Sequence, residues 1–517
     1  MIVGIRLSRY ALRAKADAKN LPLWLPMWSV VLALGWLLPN HYVPWVAFHF
    51  DLWVACCLAL AATALVVSSR RSIRIHPLAL LCLFLLPIPF FQFWFSLLPF
   101  IGQAWLGGAF IFGFFLSLLV GAYWEDTTSG QAIDSLFLAI GIAGVASVGL
   151  QLYQWLGSSI DTFDLWIMDS GNGRPFANFI QPNQLATFLL WSLLATAWGV
   201  AHSQIRQKIA IFQSLFLLFG IALTGSRTAF VAVVGLLCAT FLWRNLWKSK
   251  ATVPTVLGLA VFYFVCVFLL PSIAKLFELA IPMGLIERPG GGVRITVYQL
   301  FLDAAWQQPF WGYGWAQSAL AQMAVAENHP PLASMFLQAH NLFLDLVIWC
   351  GIPLGLAISG TLMWWFVDMA KKIAKPRDAI LLMFVAVVGW HAMLELPLHY
   401  AYMLLPTGLV MGVLNSRLAT PVRFQLNRWC LGCLLLAGIT LLTFIARDYV
   451  QIEENFRVLR FERARIGATP AQKPDAVVLL NQMDEFVKLG RTPAKQGMTA
   501  EELAWMQKAA YAYPGLS

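Results

Sequence analysis

The chain has 517 residues, of which 60% are hydrophobic and 12% are charged, and its mean hydropathy is +0.71. Soluble domains carry about 25% charged residues, so this composition excludes a soluble globular fold and indicates an integral membrane protein. The formal charge of +10 comes from basic residues between apolar runs, where they set topology and contact the anionic lipid bilayer. No basic patch alternates with exposed aromatic residues, so no nucleic-acid partner is expected.

Apolar runs of about 20 residues recur along the chain, and each is long enough to cross a ~30 Å hydrocarbon core as a helix. They predict an all-α polytopic fold with about thirteen transmembrane helices. The predicted spans are 23–38, 52–67, 78–95, 104–123, 133–156 and 184–201, two spans divided by a turn at 223–228, and then 253–270, 342–366, 379–393, 401–414 and 430–445.

Basic residues indicate the orientation of these spans. The N-terminus is predicted to be cytoplasmic because it carries Arg6, Arg9, Arg13, Lys15 and Lys19. Thirteen spans then place the C-terminus outside, so residues 1–445 form a transmembrane domain and 446–517 a helical tail on the outer side. The polar segments 157–182 and 223–228 and a large loop at about 271–341 fall on the same outer side.

Arginines are the first candidate functional residues on that side: Arg174, Arg227, Arg288 and Arg294. Positive charge outside runs against the usual bias of membrane proteins, which favours a role in binding an anion. A guanidinium offers planar, paired donors to a phosphate or carboxylate. Arg227 lies in a very short turn, so it either snorkels to lipid headgroups or grips such an anion. Gly290-Gly291-Gly292 is either a hinge or a place where backbone approaches a ligand.

His340 opens the tenth predicted span and is followed by Asn341. The ordinary histidine pKa of ~6.5 suits proton transfer near neutral pH, and a polar helix cap is the alternative role. Glu395 either orients a histidine ring or belongs to an interfacial hydrogen-bond cluster. Three other histidines are rival candidates: His329, His391 and His399. The sequence has no phosphate-binding loop, H-E-x-x-H motif or G-x-S-x-G motif, so arginines and histidine suggest an anionic lipid-linked substrate and one proton transfer.

Six segments carry a family resemblance through their order and spacing. They are Asn40-His41-Tyr42-Val43-Pro44-Trp45, Gly173-Arg174-Pro175 with Gln181-Pro182-Asn183, Leu223-Thr224-Gly225-Ser226-Arg227-Thr228, Pro309-Phe310-Trp311-Gly312-Tyr313-Gly314, His340-Asn341 through Gly351 to Gly355, and His391 to Tyr402. Together they resemble bacterial O-oligosaccharyltransferases, the protein glycosylation ligases of the O-antigen ligase and polymerase superfamily.

The resemblance implies a glycosyltransferase of GT-C-like architecture that needs no metal or other cofactor. It implies a multi-pass protein of the bacterial inner membrane with its active site on the periplasmic face. The implied reaction moves an assembled oligosaccharide from undecaprenyl diphosphate to a Ser or Thr of a protein acceptor, typically a type IV pilin.

Carried onto this sequence, the resemblance implies that His340 takes the hydroxyl proton or otherwise positions the acceptor. Arg227, with Arg294 or Arg288, would neutralise the diphosphate, and Arg174 joins this candidate set. The implied substrate-positioning residues are Gln181, Asn341, Glu395, Tyr400 and Tyr402, where either tyrosine matches the tyrosine of the family.

Two other functions fit parts of the pattern. An O-antigen polymerase or a ligase to lipid A core would share the reaction and differ in acceptor, whereas the external tail and the two early segments favour a protein acceptor. A lipid or anion transporter would bind anionic cargo with the same arginines. Transporters usually show internal repeats and helices broken at mid-membrane, but the polar breaks here lie at one surface.

Overall fold

The computed structural model describes residues 24–157, 165–170, 174–247, 249–279, 291–332, 334–419, 424–467 and 476–512. The helices within them are α1 (Trp24–Gly35), α2 (Phe48–Ser68), α3 (Pro77–Leu85), α4 (Ile88–Trp94), α5 (Ile101–Thr127), α6 (Gln131–Trp155), α7 (Pro182–Ala201), α8 (Gln207–Leu223), α9 (Arg227–Leu242), α10 (Thr252–Leu276), α11 (Gly291–Gln307), α12 (Ser318–Val325), α13 (Leu342–Cys350), α14 (Ile352–Lys372), α15 (Pro376–Ala392), α16 (Ala401–Leu418), α17 (Arg428–Ala464), α18 (Asn481–Arg491) and α19 (Ala500–Ala512). Short 3-10 turns occupy Arg244–Leu246, Ala326–Asn328 and Pro397–His399. Strands β1 (Ile73–Arg74) and β2 (Gln425–Leu426) pair antiparallel, with Ile73 opposite Leu426. The N-terminal basic residues and Arg288 lie outside the described residues.

Eight segments of the described chain are long and apolar enough to cross a membrane, namely α2, α3 with α4, α5, α6, α7, α10, α14 and α17. Three further apolar helices, α1, α8 and α9, have 12, 17 and 16 residues. This confirms the predicted all-α polytopic membrane protein. The number of thirteen spans remains a prediction, although α15 and α16 do form where the eleventh and twelfth spans are predicted.

The tenth predicted span is broken into α13 and α14 at Gly351, which has a φ of 81°. A side chain on Gly351 would collide with the backbone carbonyl of Phe310, so only glycine fits this close approach. Tyr313 N donates to Ile348 O (2.8 Å), and Ile352 N donates to Pro309 O (2.7 Å). The Pro309–Gly314 motif therefore packs against the break and supplies partners for the interrupted helix ends.

The core of the bundle is built around the close crossing of α5 and α16. A Cβ on Gly412 would collide with the Leu118 carbonyl, and one on Gly121 would collide with the Leu409 carbonyl. Small residues at such a contact let two backbones approach, which favours helix association in lipid. Since 408–412 packs on 114–122 and Arg417 pairs with Glu125, the two helices run in the same direction.

The ends of α5 and α16 meet in a buried polar network that we call the far end. Arg417 Nε donates to Glu125 Oε1 (2.9 Å), and its Nη1 donates to Asp378 Oδ1 (3.1 Å). Arg74 pairs with Asp126 at the last turn of α5. Each of these charges has an opposite partner, as a charge near the membrane requires. The end of the bundle where α5 and α16 begin is called the site end below.

The C-terminal tail is carried by α17, whose 37 residues span about 55 Å at a rise of 1.5 Å per residue. The helix continues without interruption through the predicted division at 445/446. The wholly buried Asp448 accepts hydrogen bonds from the backbone N–H groups of Val478 and Leu480, each at 3.1 Å. Asn481 Oδ1 accepts from Gly102 N (2.9 Å) at the start of α5, so the tail docks on the site end.

Candidate active site

Helix starts concentrate at the site end, because α7, α9, α13 and α16 all begin there. Ser226 caps α9 by accepting from Ala229 N (3.1 Å), and Pro182 stands at the first position of α7, where its missing N–H costs nothing. The first N–H groups of a helix have no partner within it, and they carry a partial positive charge. Several helix starts facing one region therefore favour an anionic ligand there.

Glu395 is the centre of the polar contacts at this end, in the connection between α15 and α16. Its Oε1 accepts from the Asn183 side-chain amide and lies 3.7 Å from Arg294 Nη2. Its Oε2 lies 3.2 Å from His391 Nε2. Burial raises the pKa of Glu395, but the hydrogen bond and charge of His391, the Asn183 hydrogen bond and the Arg294 charge outweigh it and hold this pKa below its usual range. The group is therefore a carboxylate at neutral pH.

Arg174 approaches the same cluster from the other side of Asn183. Its Nη2 donates to Asn183 Oδ1 (3.4 Å), and its Nε donates to Thr224 O (3.0 Å). Asn183 thus bridges Arg174 and Glu395 with the two ends of its amide. Thr224 directly follows α8 and begins the turn that leads to Arg227 and α9. The contacts of Arg174 and Asn183 together therefore join three segments of the chain.

His340 lies between α12 and α13 with a φ of 54°, a left-handed conformation that is costly for a residue with a Cβ. The Tyr298 hydroxyl donates to the His340 carbonyl (3.2 Å), and the Phe336 ring lies 5.6 Å from the imidazole. Burial lowers the pKa of His340, and the charges of Glu395 and Arg294 act on it in opposite directions. The imidazole is therefore neutral at pH 7 and can accept a proton.

The predicted positioning residues occupy different environments. Asn341 Oδ1 accepts from Phe343 N (3.0 Å), so this side chain is the cap of α13. Gln181 is half-buried at the residue before α7. Tyr402 is wholly buried, whereas Tyr400 is half-buried with its ring 5.5 Å from that of Tyr402.

The remaining candidates separate clearly. His329 Nε2 lies 3.1 Å from Asp303 Oδ2, so the acidic partner of this histidine is Asp303 and not Glu395. The His399 ring lies 5.3 Å from Trp349, and burial lowers its pKa to about 4. Gly290 and Arg288 lie outside the described residues, and α11 begins at Gly291. The described part of the chain contains no group of three or more His, Cys, Asp or Glu side chains that could hold a metal ion.

The sequence assigns no role to three polar residues of the site: Asn183, which stands in a motif, and Gln184 and Thr187, which do not. The Tyr402 hydroxyl donates to Gln184 Oε1, and Thr187 Oγ1 lies 2.9 Å from His391 Nδ1. A signal for two of them exists in the sequence, because Asn183 and Thr187 are four residues apart and therefore share a helix face. Their partner could not be identified without the three-dimensional structure.

An apolar crevice of about 150 Å³ opens beside this cluster, between α2, α5, α16 and α17. Its lining reaches Asp51 and Ala401 at the site end, and Ala401 directly follows Tyr400. Small residues such as Ala59 and Gly438 line it along the membrane-spanning helices. The crevice therefore extends from the site end along helices that are apolar enough to cross a membrane.

Three family models match the chain in sequence order. The model for "Protein glycosylation ligase" matches residues 175–198, which include Gln181 and Asn183. The model for "O-Antigen ligase" matches residues 212–359, which include Arg227, Arg294 and His340. The model for "Virulence factor membrane-bound polymerase, C-terminal" matches residues 379–517, including Glu395 and the tail.

Two curated relatives come from Acinetobacter baylyi. The chain is 28% identical over 506 residues to a general O-oligosaccharyltransferase, covering 94% of this chain and 86% of the relative. It is 28% identical over 250 residues to a ComP-specific O-oligosaccharyltransferase, covering 48% of this chain and 45% of that relative. These similarities confirm the resemblance seen in the sequence motifs. The chain is therefore similar over most of its length to O-oligosaccharyltransferases and carries O-antigen ligase and protein glycosylation ligase matches, which support its identification as a glycosyltransferase.

Proposed function

We propose that the protein transfers an assembled oligosaccharide en bloc from undecaprenyl diphosphate to a Ser or Thr hydroxyl of an acceptor protein, a type IV pilin. The reaction takes place at the periplasmic face of the bacterial inner membrane, with the N-terminus in the cytoplasm and the tail outside. The observation that carries this proposal is the cluster of Arg174, Arg294, Glu395 and a neutral His340 at the site end. The names of both relatives, which are O-oligosaccharyltransferases, support the transfer of an oligosaccharide.

The arginines bind the donor diphosphate. Arg294 and Arg174 flank the Asn183–Glu395 contact, and Arg227 begins α9 one turn from the Thr224 carbonyl that Arg174 contacts. Guanidinium groups and helix starts stabilise the negative charge that develops on the departing diphosphate. Arg288, in the segment before α11, adds a further positive charge to this set.

His340 acts as the general base. It takes the proton of the acceptor hydroxyl while the hydroxyl oxygen forms a bond to the anomeric carbon of the glycan. The bond between that carbon and the diphosphate oxygen breaks, and undecaprenyl diphosphate leaves with the electron pair. Gln181 and Tyr400 orient donor and acceptor, while Asn341 and Tyr402 support them through the α13 cap and the Gln184 contact.

The polyprenyl chain of the donor lies in the apolar crevice between α2, α5, α16 and α17. Two features support this placement. The lining of the crevice is apolar over most of its length. At the site end the lining includes Ala401, which directly follows Tyr400. A chain held there would place its diphosphate at the site end, within the reach of the arginines.

A second acceptor class is favoured by one observation, the match of residues 379–517 to the polymerase model. The competing reaction would extend a lipid-linked glycan or join it to lipid A core. The two possibilities differ in the acceptor alone, so they are separated by offering different acceptors to the same enzyme.

The test uses the full-length protein in lipid nanodiscs with one undecaprenyl-diphosphate-linked oligosaccharide. A purified pilin, a lipid A-core preparation and a second portion of lipid-linked glycan are supplied as acceptors in separate reactions. We expect a glycan-sized increase in the intact mass of the pilin, located on a Ser or Thr. Product on the lipid acceptors alone, with several pilins unmodified, would reject the protein acceptor.

A further inference from the structure

We propose that His391 is a positioning residue that holds the Glu395 carboxylate in the orientation in which Arg294 and Arg174 bind a diphosphate. This inference rests on the proposed function, since it concerns the anion site of the same reaction. His391 itself touches neither substrate.

The His391 ring is fixed by partners on two different elements. Its side chain is fully buried, its Nδ1 lies 2.9 Å from Thr187 Oγ1 on α7, and its Nε2 lies 3.2 Å from Glu395 Oε2. Nε2 donates to the carboxylate in either protonation state of the ring. The Thr187 hydroxyl donates to Nδ1 of a neutral ring or accepts from a charged one. These two contacts select one orientation of the imidazole.

Holding Oε2 of a planar carboxylate also places Oε1. Glu395 Oε1 accepts a hydrogen bond from the Asn183 side-chain NH2 and lies 3.7 Å from Arg294 Nη2. The amide oxygen of Asn183 in turn accepts a hydrogen bond from Arg174. The Arg294 side chain is 42% exposed, and a long exposed side chain loses conformational entropy when it is held in one geometry. A rigid carboxylate lowers that loss because it gives the guanidinium a fixed partner. His391 therefore acts on both arginines through Glu395.

The same contacts exclude His391 as the catalytic base. Both ring nitrogens are engaged by Thr187 and Glu395, and no part of the side chain is exposed to an acceptor hydroxyl. His340 is instead half-buried just before α13, and its Nδ1 has no hydrogen-bond partner within the described part of the chain. The two histidines belong to different segments of the family resemblance, and their burial and hydrogen bonds distinguish their roles.

The experiment compares His391→Leu, His391→Gln and Thr187→Val with the wild-type protein in nanodiscs. The Gln amide can donate to Glu395, whereas Leu cannot, and Thr187→Val removes the partner of Nδ1 while leaving the ring. His76→Leu is the matched control, because His76 is a buried histidine near the far end whose ring nitrogens form no hydrogen bond within the described chain. Three quantities are measured: the affinity for inorganic pyrophosphate, the KM for the donor and the KM for the acceptor in the transfer reaction.

We expect His391→Leu to weaken pyrophosphate binding and to raise the donor KM by about tenfold or more, as for loss of a hydrogen bond to a charged group. The acceptor KM stays unchanged, His391→Gln recovers most of the loss, and Thr187→Val shows a smaller loss in the same direction. The control variant leaves all three quantities at wild-type values.

A His391→Leu protein with unchanged pyrophosphate affinity and donor KM would overturn the inference, as would equal losses in the Gln and Leu variants. If His391→Leu does not fold, Thr187→Val and His391→Gln decide the matter by the same two quantities. Pyrophosphate binding without transfer to any protein would reject the proposed acceptor but not the proposed anion site. Failure of the proposed function can therefore be distinguished from failure of the inference about His391.

Discussion

Arg294 Nη2 lies 3.7 Å from Glu395 Oε1, which joins the first turn of α11 to the connection between α15 and α16. The pair brings a residue of the long loop next to a residue of the last polar segment. Arg294 remains 42% exposed, so its guanidinium keeps donors available for a ligand. A paired but accessible arginine is suited to receive a diphosphate.

Arg294→Lys is predicted to raise the donor KM by about tenfold, because lysine keeps the charge and loses the planar fork that binds two phosphate oxygens. The acceptor KM is expected to stay within error. Steady-state kinetics with each substrate varied in turn measures both. Arg244→Lys is the control, since the Arg244 guanidinium lies over the Phe241 ring near the end of α9. An unchanged donor KM in Arg294→Lys would remove Arg294 from the donor site.

The two candidate tyrosines are predicted to respond in opposite ways to loss of the hydroxyl. Tyr402 is wholly buried and donates to Gln184, so Tyr402→Phe should destabilise the protein by about 1 kcal/mol or more and lower its melting temperature. Tyr400→Phe should lower kcat/KM and leave the melting temperature unchanged. Thermal unfolding in detergent and transfer rates per folded protein provide the comparison. Loss of specific activity in Tyr402→Phe alone would assign the family tyrosine to position 402 instead.

The pH dependence of kcat/KM is predicted to follow His340. Burial holds the pKa of this histidine below its ordinary 6.5, so the neutral base persists at pH 6.5 and is lost only at lower pH. Glu395 has a pKa below its usual range and stays ionised through that interval. The acid limb should therefore have its midpoint below pH 6.5. A midpoint above 6.5 would show that another group, or a differently placed His340, controls the reaction.

Filling the crevice is predicted to discriminate between donors by the length of the lipid chain. Ala59→Phe places a ring in the crevice lined by α2 and α17, so the KM for the undecaprenyl donor should rise by about tenfold or more. A donor with a short prenyl chain should be unaffected. Leu436→Phe is the control, because Leu436 is 65% exposed on α17 and does not line the crevice. Equal effects of Ala59→Phe on long and short donors would place the lipid chain elsewhere.

The sequence contains enough information to predict most of the helices and to propose an anion-binding site. Apolar runs predict where α2, α5, α6, α7 and α10 form, because in lipid the backbone must satisfy its own hydrogen bonds. Arginines on one side of the membrane likewise predict an anion site. Both conclusions depend on composition and local spacing, which are visible in one dimension.

The rest depends on contacts between distant segments. The helix break at Gly351 is set by the Pro309 and Phe310 carbonyls. The local sequence around Gly351 does not indicate that residues 309–310 pack against it. Burial alone separates Tyr400 from Tyr402 and His340 from His391. The bridge from Arg174 through Asn183 to Glu395 spans three segments of the chain. The sequence motif contained two of its members without indicating that they meet.

The most direct test of the central claim compares His340→Ala with His329→Ala in the transfer of a lipid-linked glycan to a pilin. His329 is a matched control, because it is a histidine of the same long loop whose partner is Asp303. Intact mass of the pilin is measured with equal amounts of each variant in the membrane. We predict a glycan-sized mass gain with the wild type and His329→Ala, and no gain with His340→Ala. A full mass gain with His340→Ala would contradict the role of His340 as the base.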